Sequence, residues 1–129
     1  MKKYAFLLLS IVSLQAVYSQ SQRLLGTWEG TDKENASGKV VFEEDKSALL
    51  YIEGQEIRIV EYTIDNTSSP IVIELRTVVD GQEKVLYSLA EFIDANTIKW
   101  ELFTPDTKNR PEQFSESSTD NQIILRRAR

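Results

Sequence analysis

The side chains that most often do chemistry in proteins are missing from this chain. Its 129 residues contain no histidine and no cysteine. That removes Ser-His-Asp and Cys-His nucleophilic centres, and with them the imidazole and thiolate ligands on which zinc sites rely. What is left is oxygen chemistry. Twenty Asp and Glu residues could supply a carboxylate pair for general acid–base work, but no motif selects one pair from so many. Glu43-Glu44-Asp45 is an acidic triplet of the kind calcium uses. An oxygen cage needs about six to eight ligands, so an isolated triplet reads as a solvated turn. No catalytic residue, metal site or cofactor is assigned, and the expectation is a protein that is not an enzyme. Asn35-Ala36-Ser37 and Asn66-Thr67-Ser68 fit the N-glycosylation pattern, and they fit ordinary turn chemistry equally well.

The remaining constellation is aromatic. Tyr51, Tyr62, Tyr87 and Trp100, with Phe42, lie on strand-like stretches. Each tyrosine or tryptophan offers a large apolar ring with a polar tip suited to a cavity mouth. Facing inward together, they would line a site for a small neutral or apolar ligand. A charged ligand would find few partners among the inward positions and would not recover its desolvation cost. Aromatics at alternating positions are also what an ordinary core contains, so a filled interior stands beside a ligand-lined one.

The elements that must hold these rings follow from the rest of the chain. Met1-Lys2-Lys3 is a basic start, Tyr4 to Val17 is mostly apolar, and Tyr18-Ser19 leads into polar Gln20-Ser21-Gln22-Arg23. This is the succession of a secretory signal peptide, with Val17 and Ser19 at the −3 and −1 positions of a cut before Gln20. The apolar run is shorter than the roughly 20 residues a membrane span needs. The expected organisation is a signal peptide over 1–19 and one domain over 20–129, with no membrane span after cleavage and an extracytoplasmic location, periplasmic or secreted. Without Lys2 and Lys3 the chain has 13 Lys and Arg against 20 Asp and Glu, a net charge of −7. An acidic surface repels phosphate backbones, which argues against a nucleic-acid partner.

Within 20–129 the apolar pattern has period two. Leu24, Gly26, Trp28 and Gly30 share one parity, as do Val40 and Phe42. The same holds for Ile71, Ile73, Leu75, Thr77 and Val79, for Ile98, Trp100 and Leu102, and for Ile123 and Leu125. Turn signals separate the runs: Ser37-Gly38, Glu44-Asp45-Lys46, Glu53-Gly54-Gln55, the stretch 66–70, Asp80-Gly81 and Asp94-Ala95-Asn96. Lys84 to Ile93 fits either an amphipathic helix or a strand. The hairpin signal Asp80-Gly81 before it favours a strand. Ile57 and Ile59 have one parity, Val60, Tyr62 and Ile64 the other; a β-bulge near Ile59-Val60 would reconcile them. Pro105 to Asn121 is a long polar loop. The expected fold is all-β, an eight-stranded antiparallel up-and-down β-barrel.

With eight strands in hand, Gly26-Thr27-Trp28 becomes informative. It resembles the Gly-x-Trp that opens the first strand of lipocalins, and the chain looks like the small lipocalin-like domains of exported bacterial proteins. The resemblance implies that Trp28 packs at the closed end of the barrel beneath an arginine from the last strand, here Arg127, which shares its parity with Ile123 and Leu125. It departs from the family in its short length, in lacking Thr-Asp-Tyr before the seventh strand and in having no disulfide. Avidins also begin with Gly-Thr-Trp, but the two tryptophans here, Trp28 and Trp100, are too few to line a biotin site. The functional expectation is a non-enzymatic module for a small hydrophobic or neutral ligand in the barrel interior. The alternative is an interaction or inhibitor-type domain with a filled core that meets a protein partner through its surface and the 105–121 loop.

Overall fold

A computed structural model of the chain describes residues 23–31, 37–52, 54–103, 109–116 and 122–128. The expected signal peptide, Asn35 and the two ends of the 105–121 loop lie outside these residues. Eight strands follow in order: β1 (Gly26–Thr31), β2 (Ser37–Phe42), β3 (Ala48–Ile52), β4 (Gln55–Asp65), β5 (Ile71–Val79), β6 (Gln82–Asp94), β7 (Thr97–Leu102) and β8 (Gln122–Arg127). Each pairs antiparallel with its neighbour, and β8 returns to β1, closing the barrel. Lys84 to Ile93 is strand, part of β6.

Alternation decides what goes inside. Trp28 pairs with Val40, Val40 with Leu50 and Leu50 with Ile57, and the first three are buried. From Ile59 onward simple alternation would turn Tyr62 and Ile64 outward. The register instead shifts between Ile59, opposite Thr77, and Glu61, opposite Arg76. Val60 is the extra residue of a β-bulge, and it takes the wrong-face position: it is 47 % exposed while Tyr62 is buried. A second shift lies between Phe92, opposite Ile98, and Asp94, opposite Thr97. Its extra residue, Ile93, is 57 % exposed. Two of the exposed large hydrophobics are thus the residues that the bulges set aside.

The turns sort into two sets. At one end, Asp45, Asp65 and Asp94 each accept a hydrogen bond from the backbone N–H two residues on, at Ser47, Thr67 and Asn96. This Asx geometry makes three tight turns. At the other end Asp80 and Gly81 form a two-residue hairpin turn with φ of 53° and 78°. Positive φ at both residues defines a type I′ turn, which matches the twist of the flanking strands. The chain on either side of it, 78–85, is exposed on both faces, so the β5–β6 hairpin projects past the rim.

The barrel closes on a glycine. A Cβ at Gly30 would lie 2.1 Å from the carbonyl oxygen of Ile124 in β8, closer than any side chain tolerates. Part of the outer wall is also buried. Val72, Leu89 and Glu101 point away from the core, stand in one cross-strand row and are shielded from solvent. The segment 109–116 lies on this side: Arg110 pairs with Asp65, Lys99 sits 4.5 Å from the Phe114 ring centroid, and Ser115 bonds Glu101. The described part of the long loop is therefore fastened to the wall.

Candidate functional site

One end of the barrel is sealed. Gly26, Trp28 and Arg127 build the seal. Gly26 has φ of +112°, a conformation glycine adopts without strain. It lets the chain turn from Leu24 into β1, so that the Trp28 indole N–H donates to the Leu24 carbonyl at 2.9 Å. The Arg127 guanidinium lies 4.3 Å from the Trp28 ring centroid. It donates to the carbonyl oxygens of Leu25 and Arg23 at 2.6 Å each, and to Asn96 Oδ1 at 3.1 Å. One side chain thus ties β8, the entry to β1 and the β6–β7 turn together over an indole face. Phe92 meets Trp28 edge-on at 6.3 Å, with Arg23 stacked 3.9 Å above the Phe92 centroid. Every group here is satisfied, and the arrangement is structural.

The four aromatic residues expected at the open end do not gather there. Tyr51 is opposite Lys39 on the outer wall, with the Lys39 ammonium 5.5 Å from its ring centroid. Tyr87 is also outside, opposite Glu74. The two-residue turn at Asp80-Gly81 pairs Thr77 with Lys84 and Leu75 with Leu86, which turns the even positions of β6 inward and Tyr87 outward. Tyr62 does face the core, at the sealed end: its hydroxyl donates to the Glu43 carbonyl at 3.2 Å, and its ring meets Phe42 edge-on at 5.0 Å. Burial, then the nearby carboxylates of Asp45 and Glu43, push the Tyr62 phenol above its ordinary value, so it remains a neutral hydrogen-bond donor. Trp100 is buried in the core cluster.

Around Trp100 the interior changes character. Trp100 pairs with Ala90 on one side and Ile123 on the other. Toward the end that carries the β3–β4 and β5–β6 turns, Ile52, Ile57 and Leu102, with Ile123 level with Trp100, pack on the core yet remain partly exposed. Gly38, opposite both Gly30 and Ile52, carries no side chain, and Ile123 reaches across it: a Cβ on Gly38 would be 3.1 Å from Ile123 Cδ1. The buried inward hydroxyls are paired with backbone, Ser88 to the Ile73 carbonyl at 2.9 Å and Thr77 to the Arg58 carbonyl at 2.7 Å. The Trp100 indole N–H, on a residue 5 % exposed, has no acceptor among the described residues.

No family model, no curated protein and no solved structure matches this chain. Its chemistry must therefore be read from its own side chains.

One polar site was not visible in the sequence. Glu101, only 2 % exposed, accepts from the Ser115 backbone N–H at 2.9 Å and from the Ser115 hydroxyl at 2.5 Å. Gln122 Nε2 donates to the same carboxylate at 3.0 Å and to the Ser115 carbonyl at 2.9 Å. These three bonds to the carboxylate fix the segment 109–116, the strap, against the wall. In the acidic triplet Asp45 is committed: its Oδ1 accepts from Ser47 N–H at 3.0 Å and Ser47 Oγ at 2.5 Å, and these bonds hold its carboxyl below the usual range. Among the described residues no group of three or more carboxylates converges as a metal site would require. The triplet borders a cleft of about 970 Å³ whose lining includes Leu25, Phe42, Leu49, Ile59 and Val60.

Proposed function

We propose that this chain is an exported, non-enzymatic, lipocalin-like binding module whose small apolar or neutral ligand enters the open half of the barrel. The observation that carries this reading is the mouth formed by Ile52, Ile57, Leu102 and Ile123, inward-facing hydrocarbon left partly in water. At the sealed end Trp28 and Leu24 are almost fully shielded, while Ile64, Ile71 and Phe92 are, like the residues of the mouth, only partly buried. Leaving apolar side chains accessible inside a concave rim is the ordinary design of a small-molecule site. The lipocalin-like part of the reading is supported by Gly26, Trp28 and Arg127 meeting at the sealed end.

Native mass spectrometry of the protein from the extracellular or periplasmic fraction tests this directly. Processed protein beginning near Gln20, carrying a bound small molecule that Ile57→Glu releases and Tyr87→Ala retains, is the expected result. Cytoplasmic protein with Met1 intact would remove the export claim. Protein without an adduct that also fails to take up hydrophobic fluorescent probes would remove the ligand claim.

The alternative, a protein-interaction domain, draws on a different observation. The projecting β5–β6 hairpin exposes Val78, Val79 and Val85, whereas 109–116 of the long loop is fastened down. An inert interior together with a partner captured through that hairpin would favour it.

A further inference from the structure

The ligand proposed above can be narrowed by one atom. The structure contains two tryptophans with contrasting environments. Trp28 Nε1 donates to a backbone carbonyl, and the buried inward hydroxyls of Tyr62, Ser88 and Thr77 also find carbonyl acceptors. The interior closes its donors with backbone wherever it can. Trp100 Nε1 is the exception: buried, facing inward and without an acceptor among the described residues. The other buried orphan nitrogen, Arg76 Nε, is on the outer wall, where the Arg76 guanidinium already pairs with Glu61 and Glu83.

Buried indole N–H groups ordinarily find a partner, because an unmade hydrogen bond forfeits what water would have supplied. A trapped water is a poor substitute here. It needs two to four polar partners, and the cross-strand neighbours of Trp100, Ala90 and Ile123, present only hydrocarbon side chains. An oxygen borne on an apolar body meets both requirements, filling the hydrocarbon surroundings while supplying the missing acceptor. The approach is past Leu102 and Ile123, which are partly exposed: Ile123 is directly opposite Trp100, and Leu102 is two residues farther along β7.

We infer that the small molecule held in the open half of the barrel is a neutral apolar compound carrying a hydrogen-bond acceptor, a carbonyl or ether oxygen, and that the Trp100 indole N–H receives it. This rests on the ligand site proposed above. One N–H is a single uncharged donor. It discriminates in favour of a carbonyl over the equivalent hydrocarbon, and it does not compensate the desolvation of a carboxylate or phosphate.

The test uses a series of alkyl phenyl ketones, from acetophenone upward, each beside the alkylbenzene of the same shape. Both series are titrated into the full processed chain and into Trp100→Phe. Trp100→Phe should weaken ketone binding about tenfold, the scale of one net hydrogen bond, and leave alkylbenzene binding unchanged. In the unmutated protein, ketone should move the Trp100 indole N–H resonance downfield. The Trp28 resonance, already bonded to Leu24, serves as the internal reference and should stay in place, so the answer does not depend on the variant folding. If ketones and alkylbenzenes bind the two proteins alike and the Trp100 resonance does not move, the inference is wrong and the apolar ligand site stands. If neither series binds, the ligand site itself is wrong and the inference goes with it.

Discussion

The barrel treats its two tryptophans in opposite ways. Trp28 is enclosed: its N–H is bonded, Arg127 covers its face, and the Arg127 guanidinium is itself used on the carbonyls of Arg23 and Leu25. Trp100 is buried among hydrocarbon with its N–H unpaired, below a rim of partly exposed isoleucine and leucine. The first arrangement spends every polar atom on the fold. The second leaves one polar atom unused by the fold, the atom on which the proposed binding function rests. The difference also separates the aromatics more cleanly than residue type does. Tyr51 and Tyr87 stand on the outer wall and Tyr62 braces the β2–β3 turn, so three of the four rings with ligand-like chemistry serve other ends.

The largest effect should come from breaking the sealed end. Trp28→Ala removes a fully buried indole and should cost about 3–5 kcal/mol, the usual range for large aromatic truncations in a core. Arg127→Ala keeps the indole and loses the stacked cation, worth roughly 0.5–2 kcal/mol, together with its bonds to two carbonyls. Urea unfolding of both variants measures the gap. If Arg127→Ala were the more damaging, the seal would depend on the arginine clamp and the buried ring would be secondary.

The open half should not be equally soft throughout. At Gly30 the β8 backbone is so close that an added Cβ would sit 2.1 Å from the Ile124 carbonyl oxygen. Gly30→Ala must push β1 and β8 apart and should cost about 1–3 kcal/mol, the usual penalty for overpacking. A neutral outcome in thermal unfolding would mean that the seam opens freely on this side of the barrel.

The same substitution made at both tryptophans isolates the N–H. Trp→Phe leaves a smaller ring at either site, but at Trp28 it also leaves the Leu24 carbonyl without its donor, whereas at Trp100 it removes a donor that was unpaired. Trp28→Phe should therefore be the more destabilising by roughly 1–3 kcal/mol, the cost of an unsatisfied buried partner. Equal losses in denaturant would show that the Trp100 N–H is satisfied in solution and would weaken the contrast.

Much of this fold was legible because period two and turn chemistry agree. The parity break at Ile59-Val60 placed the first bulge, and Asp80-Gly81 placed the hairpin. The second bulge, at Ile93, was hidden within the apolar sequence Phe92-Ile93, which also fits a helical face. The orientation of Tyr87 was there to be read: a two-residue turn pairs Thr77 with Lys84, so an inward Thr77 forces the even positions of β6 inward. Tyr51 was ambiguous because Leu49 to Ile52 is apolar on both faces. Glu101 was beyond reach. It alternates like any solvent-facing strand residue, and its burial depends on Ser115 folding back from 14 residues away. Long-range cover of this kind leaves no periodic trace.

The smallest expected effect concerns acid, and it again falls at the sealed end. Asp45 and Asp65 hold matching turns, each accepting from a hydroxyl and a backbone N–H two residues on. At Asp65 the Thr67 hydroxyl and then the Thr67 N–H lower the pKa to about 2 from 3.8, while Arg110, which anchors the strap, contributes less. A folded-state pKa below the unfolded value means that the carboxylate favours folding above pH about 4, and that this contribution disappears as pH falls through about 2. Stability of the unmutated chain should therefore drop more steeply from pH 4 to 2 than that of Asp65→Asn. The cause can be separated by following the Asp65 carboxyl by NMR. Thr67→Ala should raise its titration point more than Arg110→Ala, because the hydroxyl bond it removes is the largest cause of the lowering and Arg110 offers only an exposed, screened ion pair; the Thr67 N–H bond survives in both variants. If Arg110→Ala had the larger effect, the strap would be an electrostatic part of the seal, and the turn would be shaped by the long loop across it rather than by its own three residues.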